Sequence, residues 1–383
     1  MALAPINLLL MLKPLSLPAL PIAALLLAAM ALPAAAQTEP AKAQWYPLQM
    51  MVDGKPASFE PPTVAGKLWR LCALLPHGKD HYWWGVAWGL SEEAKRLGVE
   101  IGIYDAGGYD KLAMQKQQLR DCYKLKADAY IIAAIAADGL NAEAELLYNN
   151  HIPVIDLVNG MSTSKVSSRS LVHFSDMTRA AVAFMLKQPV QGKQTLGWFP
   201  GPEGAAWVTD AETGLNTALE GQPFTLYHGG YGMTETFAQA DLVRKMVAAH
   251  HPDYIIANAV AATVASKYFT DGKRGKTKVI SFYSNPQTIA LTQEGALQAT
   301  VTDSPVLQAR VAVDLAVRWL DTGNAPKRVS PIIKVLTPEN IKDADLEQTL
   351  PPANQWMIHQ QLSPIDGATA RIFRNLRPAP KTE

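Results

Sequence analysis

Apolar residues follow two periods along this chain, and the two alternate. Residues 68–75 ("LWRLCALL") form a short apolar run, the pattern of a buried strand. Trp83, Val86, Ala87, Leu90, Ala94 and Leu97 then recur at helical spacing and predict a helix over 83–97. "VEIGIYD" alternates as a strand, "KLAMQKQQLRDCYKLK" is helical, "ADAYIIAA" is a strand, "NAEAELLYNN" a helix, and "IPVIDLV" and "SLVHF" are strands. The alternation continues from "QTLGWFP" through a helix near 206–219, then "FTLYHG", "DYIIAN", "KVISFY" and "LQATV", each followed by a helical pattern, to a last strand in "SPIIKVL". Strands alternating with helices of this length predict parallel, doubly wound α/β sheets.

The units are too many for one sheet, and the 383 residues allow two domains at about 150 residues each. We therefore expect two lobes joined by a hinge. The first comprises residues 67–174 plus 304–326, the second residues 175–303 plus 327–340. Residues 37–66 form a polar, Pro-containing N-terminal arm, and residues 341–383 an irregular polar tail with Trp356 as its one large apolar group. Residues 1–36 contain no acid and a single base, Lys13, and end in Ala34–Ala36 after an apolar stretch. They read as a secretory signal peptide cut after Ala36, with an uncleaved membrane anchor as the alternative. Without Lys13 the chain carries 34 basic and 34 acidic residues. That neutrality gives no reason to expect nucleic acid. No later apolar run approaches the length that spans a bilayer, so no direct membrane insertion is expected of the exported protein. Export permits a disulfide. Cys72 and Cys122 fall at the same end of the predicted sheet, so they are either bridged or two buried thiols.

Ligands of such sheets bind outside the carboxyl ends of the strands. The aromatic residues at those points are Tyr82, Trp83, Tyr109, Phe174, Trp207 and Tyr283, with Asp303 after the strand "LQATV". Each has a plainer reading: Tyr82 as surface, Phe174 as a hinge plug, Asp303 as a hinge hydrogen-bonding residue. Trp84 and Trp88, at i and i+4, are expected to share a core stripe. Asp80 stands just before the 83–97 helix, where it could cap it. Signatures of catalysis are missing. His250–His251 lack metal-ligand spacing, "RGKTKV" lacks the first glycine of a phosphate loop, and no Gly-x-Ser-x-Gly occurs, so an enzyme and a cofactor are not expected.

"NHIPVIDLVNG", "GWFPGPEG", "VISFYSNP" and "VTDSP" resemble segments of the type I periplasmic binding proteins, the ribose-binding class, over roughly residues 68–337. In that family two α/β lobes close on a small solute. Its sugar-binding members typically have a carboxylate at the position of Tyr283 and often an arginine near Trp207, so the rings here speak against a sugar. "WRLCALLPHGKDHYWWGVAWGL", "YDAGGYDKLAMQKQQLRDC", "VISFYS" and "PIIKVLTPENI" are similar to a branch of periplasmic sensors that detect trimethylamine N-oxide together with a sensor histidine kinase. That resemblance implies ligand contacts at Asp80, Tyr82, Trp83, Tyr109, Phe174 and Tyr283, with Phe174 standing where a Trp is expected. It implies the N-oxide or a related methylated amine as ligand, the kinase's periplasmic domain as partner, and a periplasmic location. The arm and tail are candidate kinase contacts, or inert. The chemistry suits rings. A methylated nitrogen has no N–H for a carboxylate, whereas an aromatic face holds it by about 0.5–2 kcal/mol per contact. A transport protein for a quaternary amine or a sugar is the alternative.

Overall fold

The computed structural model describes residues 48–189, 192–270 and 277–365; residues 1–36, read above as a signal peptide, and the start of the arm lie outside them. The described chain opens with a hairpin, β1 (Leu48–Val52) and β2 (Lys55–Phe59). Its turn is Asp53–Gly54, both at positive φ, the geometry that matches the twist of paired strands. There follow β3 (Arg70–Leu75), α1 (Tyr82–Leu97), β4 (Glu100–Asp105), α2 (Leu112–Lys124), β5 (Ala129–Ile132), α3 (Asn141–Asn149), β6 (Val154–Leu157) and β7 (Ser168–Ser170). The chain then crosses into α4 (Phe174–Leu186), β8 (Gln194–Phe199), α5 (Ala206–Leu219), β9 (Phe224–His228), α6 (Thr236–Ala249), β10 (Tyr254–Ala257), α7 (Ala259–Thr270), β11 (Lys278–Ser281), α8 (Pro286–Gln293) and β12 (Ala299–Thr302). It returns through α9 (Pro305–Thr322) to β13 (Arg328–Ser330) and crosses once more to β14 (Lys334–Leu336).

One sheet has the order β2-β1-β13-β7-β6-β5-β3-β4, the other β14-β12-β11-β10-β8-β9. Pairing is parallel except for the β1–β2 hairpin, β1 with β13, and β14 with β12. Two parallel-sheet lobes joined by crossing segments are what the alternating pattern predicts.

Several boundaries fall elsewhere than expected. Residues 48–59 of the arm are the hairpin on the edge of the first sheet. "SPIIKVL" is two strands: Pro331, which has no N–H to give a ladder, separates β13 in the first sheet from β14 in the second. Residues 328–330 therefore sit in the first lobe. "SLVHF" stops at Ser170, and Phe174 opens α4, a helix the strand-by-strand reading passed over, although Met177, Ala181 and Met185 are buried at helical spacing along it.

The tail is stitched down as far as it is described. Ile341, Leu346 and Leu350 pack with Ile289 and Leu336 of the second lobe. Gln360 then exchanges both backbone hydrogen bonds with Ile103 on the outer edge of β4, and Leu362 is buried. Helix α1 packs closely on α9 because Gly89 carries no side chain: a Cβ there would stand 2.3 Å from the Val306 carbonyl oxygen. Cys72 and Cys122 are bonded, tying β3 to α2 with Cα atoms 6.1 Å apart.

Candidate functional site

The carboxyl ends of both sheets face one small cavity. It is lined by Asp80, Tyr82, Trp83, Tyr109, Val158, Asn159, Phe174, Trp207, Thr234 and Tyr283. Seven of the eight residues singled out in the sequence are among them. The eighth, Asp303, stands behind the wall: its Oδ2 accepts hydrogen bonds from the Tyr82 hydroxyl at 2.8 Å and from Gln308 at 2.6 Å.

The rings form a closed belt. Going round it, centroids are 5.3 Å apart for Tyr82–Trp83, 5.6 Å for Tyr82–Tyr283, 5.8 Å for Tyr283–Trp207, 6.2 Å for Trp207–Tyr109, 5.2 Å for Tyr109–His77 and 6.4 Å for His77–Trp83. Phe174 leans on Trp207 and Tyr283 from the side. Edge contacts predominate, the arrangement ring quadrupoles prefer. Trp207 fits because Gly201 leaves space, where a Cβ would lie 2.4 Å from the indole.

Asp80 ties the two lobes together at this point. Its Oδ1 accepts from the backbone N–H of Tyr82, the first residue of α1, at 3.0 Å, and from Asn285 Nδ2 at 3.0 Å. Its Oδ2 accepts from the Tyr283 hydroxyl at 2.6 Å. Asp80 thus meets the first N–H of α1 and also lines the cavity. Burial, then the Asp303 charge, pushes the Tyr82 hydroxyl far above its usual range; burial, then Asp80, does the same for Tyr283. Both phenols therefore stay protonated and donate to carboxylates, which enriches their ring faces in negative charge.

The belt's other side offers donors. The Trp207 indole N–H is buried without a well-formed hydrogen bond. The Tyr109 hydroxyl accepts from Asn159 Nδ2 at 3.2 Å and donates to Asn159 Oδ1 over a long 3.5 Å, a weak bond that a better acceptor in the cavity could replace. Burial raises the Tyr109 hydroxyl, against the favourable contacts of Asn159 and Trp207. Asn159 follows Val158, a β-branched residue at φ +61, with its N–H bonded to the Leu157 carbonyl at 2.7 Å. A β-branched residue there is strained, and strain of this kind gathers at ligand-binding turns.

The cavity is small. The space open to the centre of a water-sized sphere is about 20 Å³. Taken as a ball, with a water radius added, that is a chamber about 3 Å in radius. That is the scale of a handful of heavy atoms. His77, Asn159 and Thr234 were not singled out in the sequence. Asn159 ends a strand, so the strand-end rule reaches it; His77 sits in the loop after β3; Thr234 precedes α6 and has no local signal. Trp84 and Trp88 are both half-buried, not fully in the core as expected; Trp84 stacks on His81 and meets Trp356 at a tilt.

The sequence profile of the periplasmic binding protein domain matches residues 72–325. This chain belongs to that family. Periplasmic protein TorT of Escherichia coli, from strain K12 and from O157:H7, is 29% identical over 294 residues, covering 76% of this chain and 84% of TorT. Among solved structures, an ABC transporter solute binding protein from Bradyrhizobium sp. BTAi1 with bound bis-tris is 37% identical with a TM-score of 0.71, over 83% of this chain and 100% of that one. The complex of TorT with the TorS sensor domain, solved without ligand and with trimethylamine N-oxide, matches at 26% identity and a TM-score of 0.68, over 76% of this chain and 100% of the matched one. This periplasmic binding protein is thus related to TorT. Among its described residues no helix is long and apolar enough to cross a membrane, and no cluster of His, Cys, Asp and Glu could hold a metal ion.

Proposed function

We propose that this periplasmic binding protein is a solute sensor that holds trimethylamine N-oxide in the ring-lined cavity and reports the closed state to the periplasmic domain of a TorS-like histidine kinase. The closed belt of rings, with the Trp207 N–H and the weakly held Tyr109 hydroxyl as donors on one side, carries this reading. The methylated nitrogen meets the faces of Tyr82, Trp83, Phe174 and Tyr283, with Asp80 supplying a negative field. The N-oxide oxygen takes the Trp207 N–H and the Tyr109 hydroxyl. The cavity's size favours a ligand of this scale, and the kinship with TorT supports both the ligand and the partner.

Calorimetric titration with trimethylamine N-oxide, trimethylamine, choline and ribose tests it. Saturable N-oxide binding, with tryptophan fluorescence changing in step, is expected; ribose binding in its place overturns the reading. Trp83→Ala and Tyr283→Ala should each weaken the N-oxide by about tenfold or more, the equivalent of at least ~1.4 kcal/mol. Trp207→Phe keeps a ring and removes the donor. It should weaken the N-oxide by about tenfold and leave tetramethylammonium unchanged, since only the N-oxide needs that N–H.

A second reading is a transporter's binding protein for an amine. It draws on the 37% identity to a solute binding protein named for an ABC transporter and holding bis-tris, itself a tertiary amine. Co-purification with a kinase sensor domain or with a permease decides between the two.

A further inference from the structure

A second chamber adjoins the ring cavity and shares Val158, Asn159 and Phe174 with it. It is far larger, about 290 Å³ on the same measure. Met161, Leu171, Val172 and Phe174 give it an apolar side. Arg169 and Arg328 also line it, and they come from adjacent strands: β7 and β13 run parallel with Arg169 and Arg328 in register. Two like charges directly opposed across a pair of strands are destabilising.

Only one of the two has a carboxylate. Arg169 pairs with the buried Asp156 and donates to the carbonyls of Met161, at 3.0 Å, and Thr163, at 2.7 Å. Arg328 is half-buried and has no carboxylate within ion-pair distance among the described residues. Its guanidinium meets His173 Nε2 at 2.6 Å, the Leu171 carbonyl at 3.3 Å and Ser330 Oγ at 3.3 Å. The acids that face it are engaged elsewhere: Asp156 with Arg169, Asp176 with Arg179, and Asp210, which also lines the chamber, with the Ser175 N–H at 3.0 Å and with His173 at 3.6 Å. Burial, then the Arg169 charge, weakens the hold of Arg328 on its proton. A half-buried cation beside another cation calls for an anion, and two of the five guanidinium N–H groups of Arg328 remain for one.

We infer that this chamber is a second ligand site, for a short-chain carboxylate, with the carboxylate on Arg328 and the alkyl chain against Met161, Leu171, Val172 and Phe174. A planar carboxylate matches the guanidinium fork, and the apolar side selects against inorganic oxyanions. The site stands whether or not the ring cavity takes an N-oxide.

The test titrates the whole exported protein with sodium butyrate, acetate and sulfate at constant ionic strength in chloride, reading melting temperature and heat. Butyrate should bind saturably and more tightly than acetate, and sulfate should bind weakly or not at all. Arg328→Gln should weaken butyrate by about tenfold or more, the loss of a charge-assisted pair. Arg328→Lys, which keeps the charge and loses the fork, should fold as the parent does and weaken butyrate by a smaller factor. The inference fails if butyrate does not raise the melting temperature of the parent. It fails equally if sulfate outcompetes butyrate, or if either Arg328 variant in folded form binds butyrate as tightly as the parent.

Discussion

Asp303 shows how much a residue just outside a cavity can govern it. Its carboxylate holds the Tyr82 hydroxyl in place, yet its Oδ1 is buried with no hydrogen-bond partner. Burial pushes its pKa up to about 6, against the hydrogen bonds from Tyr82 and Gln308. The folded state therefore holds this proton more tightly than the unfolded chain does. The ionised form costs stability above pH 6, and that cost disappears as the pH falls through 6 towards the unfolded value near 4. The whole swing is on the order of 3 kcal/mol. Asp156, also raised to about 6 by burial despite Arg169, adds a swing of the same sign. Asp303→Asn cannot ionise, so urea unfolding between pH 4 and 7 should show a flatter dependence of stability on pH than the parent does. An unchanged slope would mean that Asp303 titrates in the folded protein as an ordinary carboxylate does.

At the scale of elements, the disulfide is separable from the site. Cys72 and Cys122 lie in the cluster beneath α2 and α3, on the other side of the first sheet from the ring-bearing core. The bridge closes a separation of 50 residues. On chain entropy such a loop is worth about 4 kcal/mol, and measured bridges give about 2–4. The double variant Cys72→Ala, Cys122→Ala should lose roughly that much in chemical unfolding and keep its ligand affinity. The same division explains what the sequence could reveal. Strand ends gather on one side of any parallel sheet, so a ring after each strand was enough to find Tyr82, Trp83, Tyr109, Trp207 and Tyr283 without coordinates. Helix α4 escaped because its first residue, Phe174, also extends an apolar run that resembles a strand. Asn285 reaches Asp80 only when the lobes meet, and Arg169 meets Arg328 only through strand register; neither proximity has a trace in local pattern.

For the whole molecule, the described state is a closed one. Asp80 grips Tyr283 and Asn285, His77 meets Thr234 at 3.2 Å, His81 meets Gln287 at 2.6 Å, and Lys79 pairs with Glu235 at 2.7 Å. These contacts differ in weight. Lys79–Glu235 is exposed and contributes little. The part-buried His81–Gln287 bond is worth about 1 kcal/mol. A ligand shifts opening only through its preference for the closed form, so loosening the latch reduces apparent affinity for every ligand alike. Gln287→Ala should weaken all cavity ligands by about fivefold without reordering them, and small-angle scattering should show a larger radius of gyration for the unliganded protein. Glu235→Ala should change either quantity less. A changed ligand ranking in Gln287→Ala would make Gln287 part of the recognition surface.

The bridge between Gln360 and Ile103 has a consequence for how this protein keeps to itself. Strand β4 ends the first sheet, and an uncovered sheet edge is a template on which a foreign strand can grow. The chain's own tail occupies that edge and is anchored there by the Ser363 carbonyl on Arg70, at 2.6 Å, and by Leu362 in the core. Shortening the chain before Gln360 would leave every ring of the cavity intact and yet turn a self-contained molecule into one with a sticky margin.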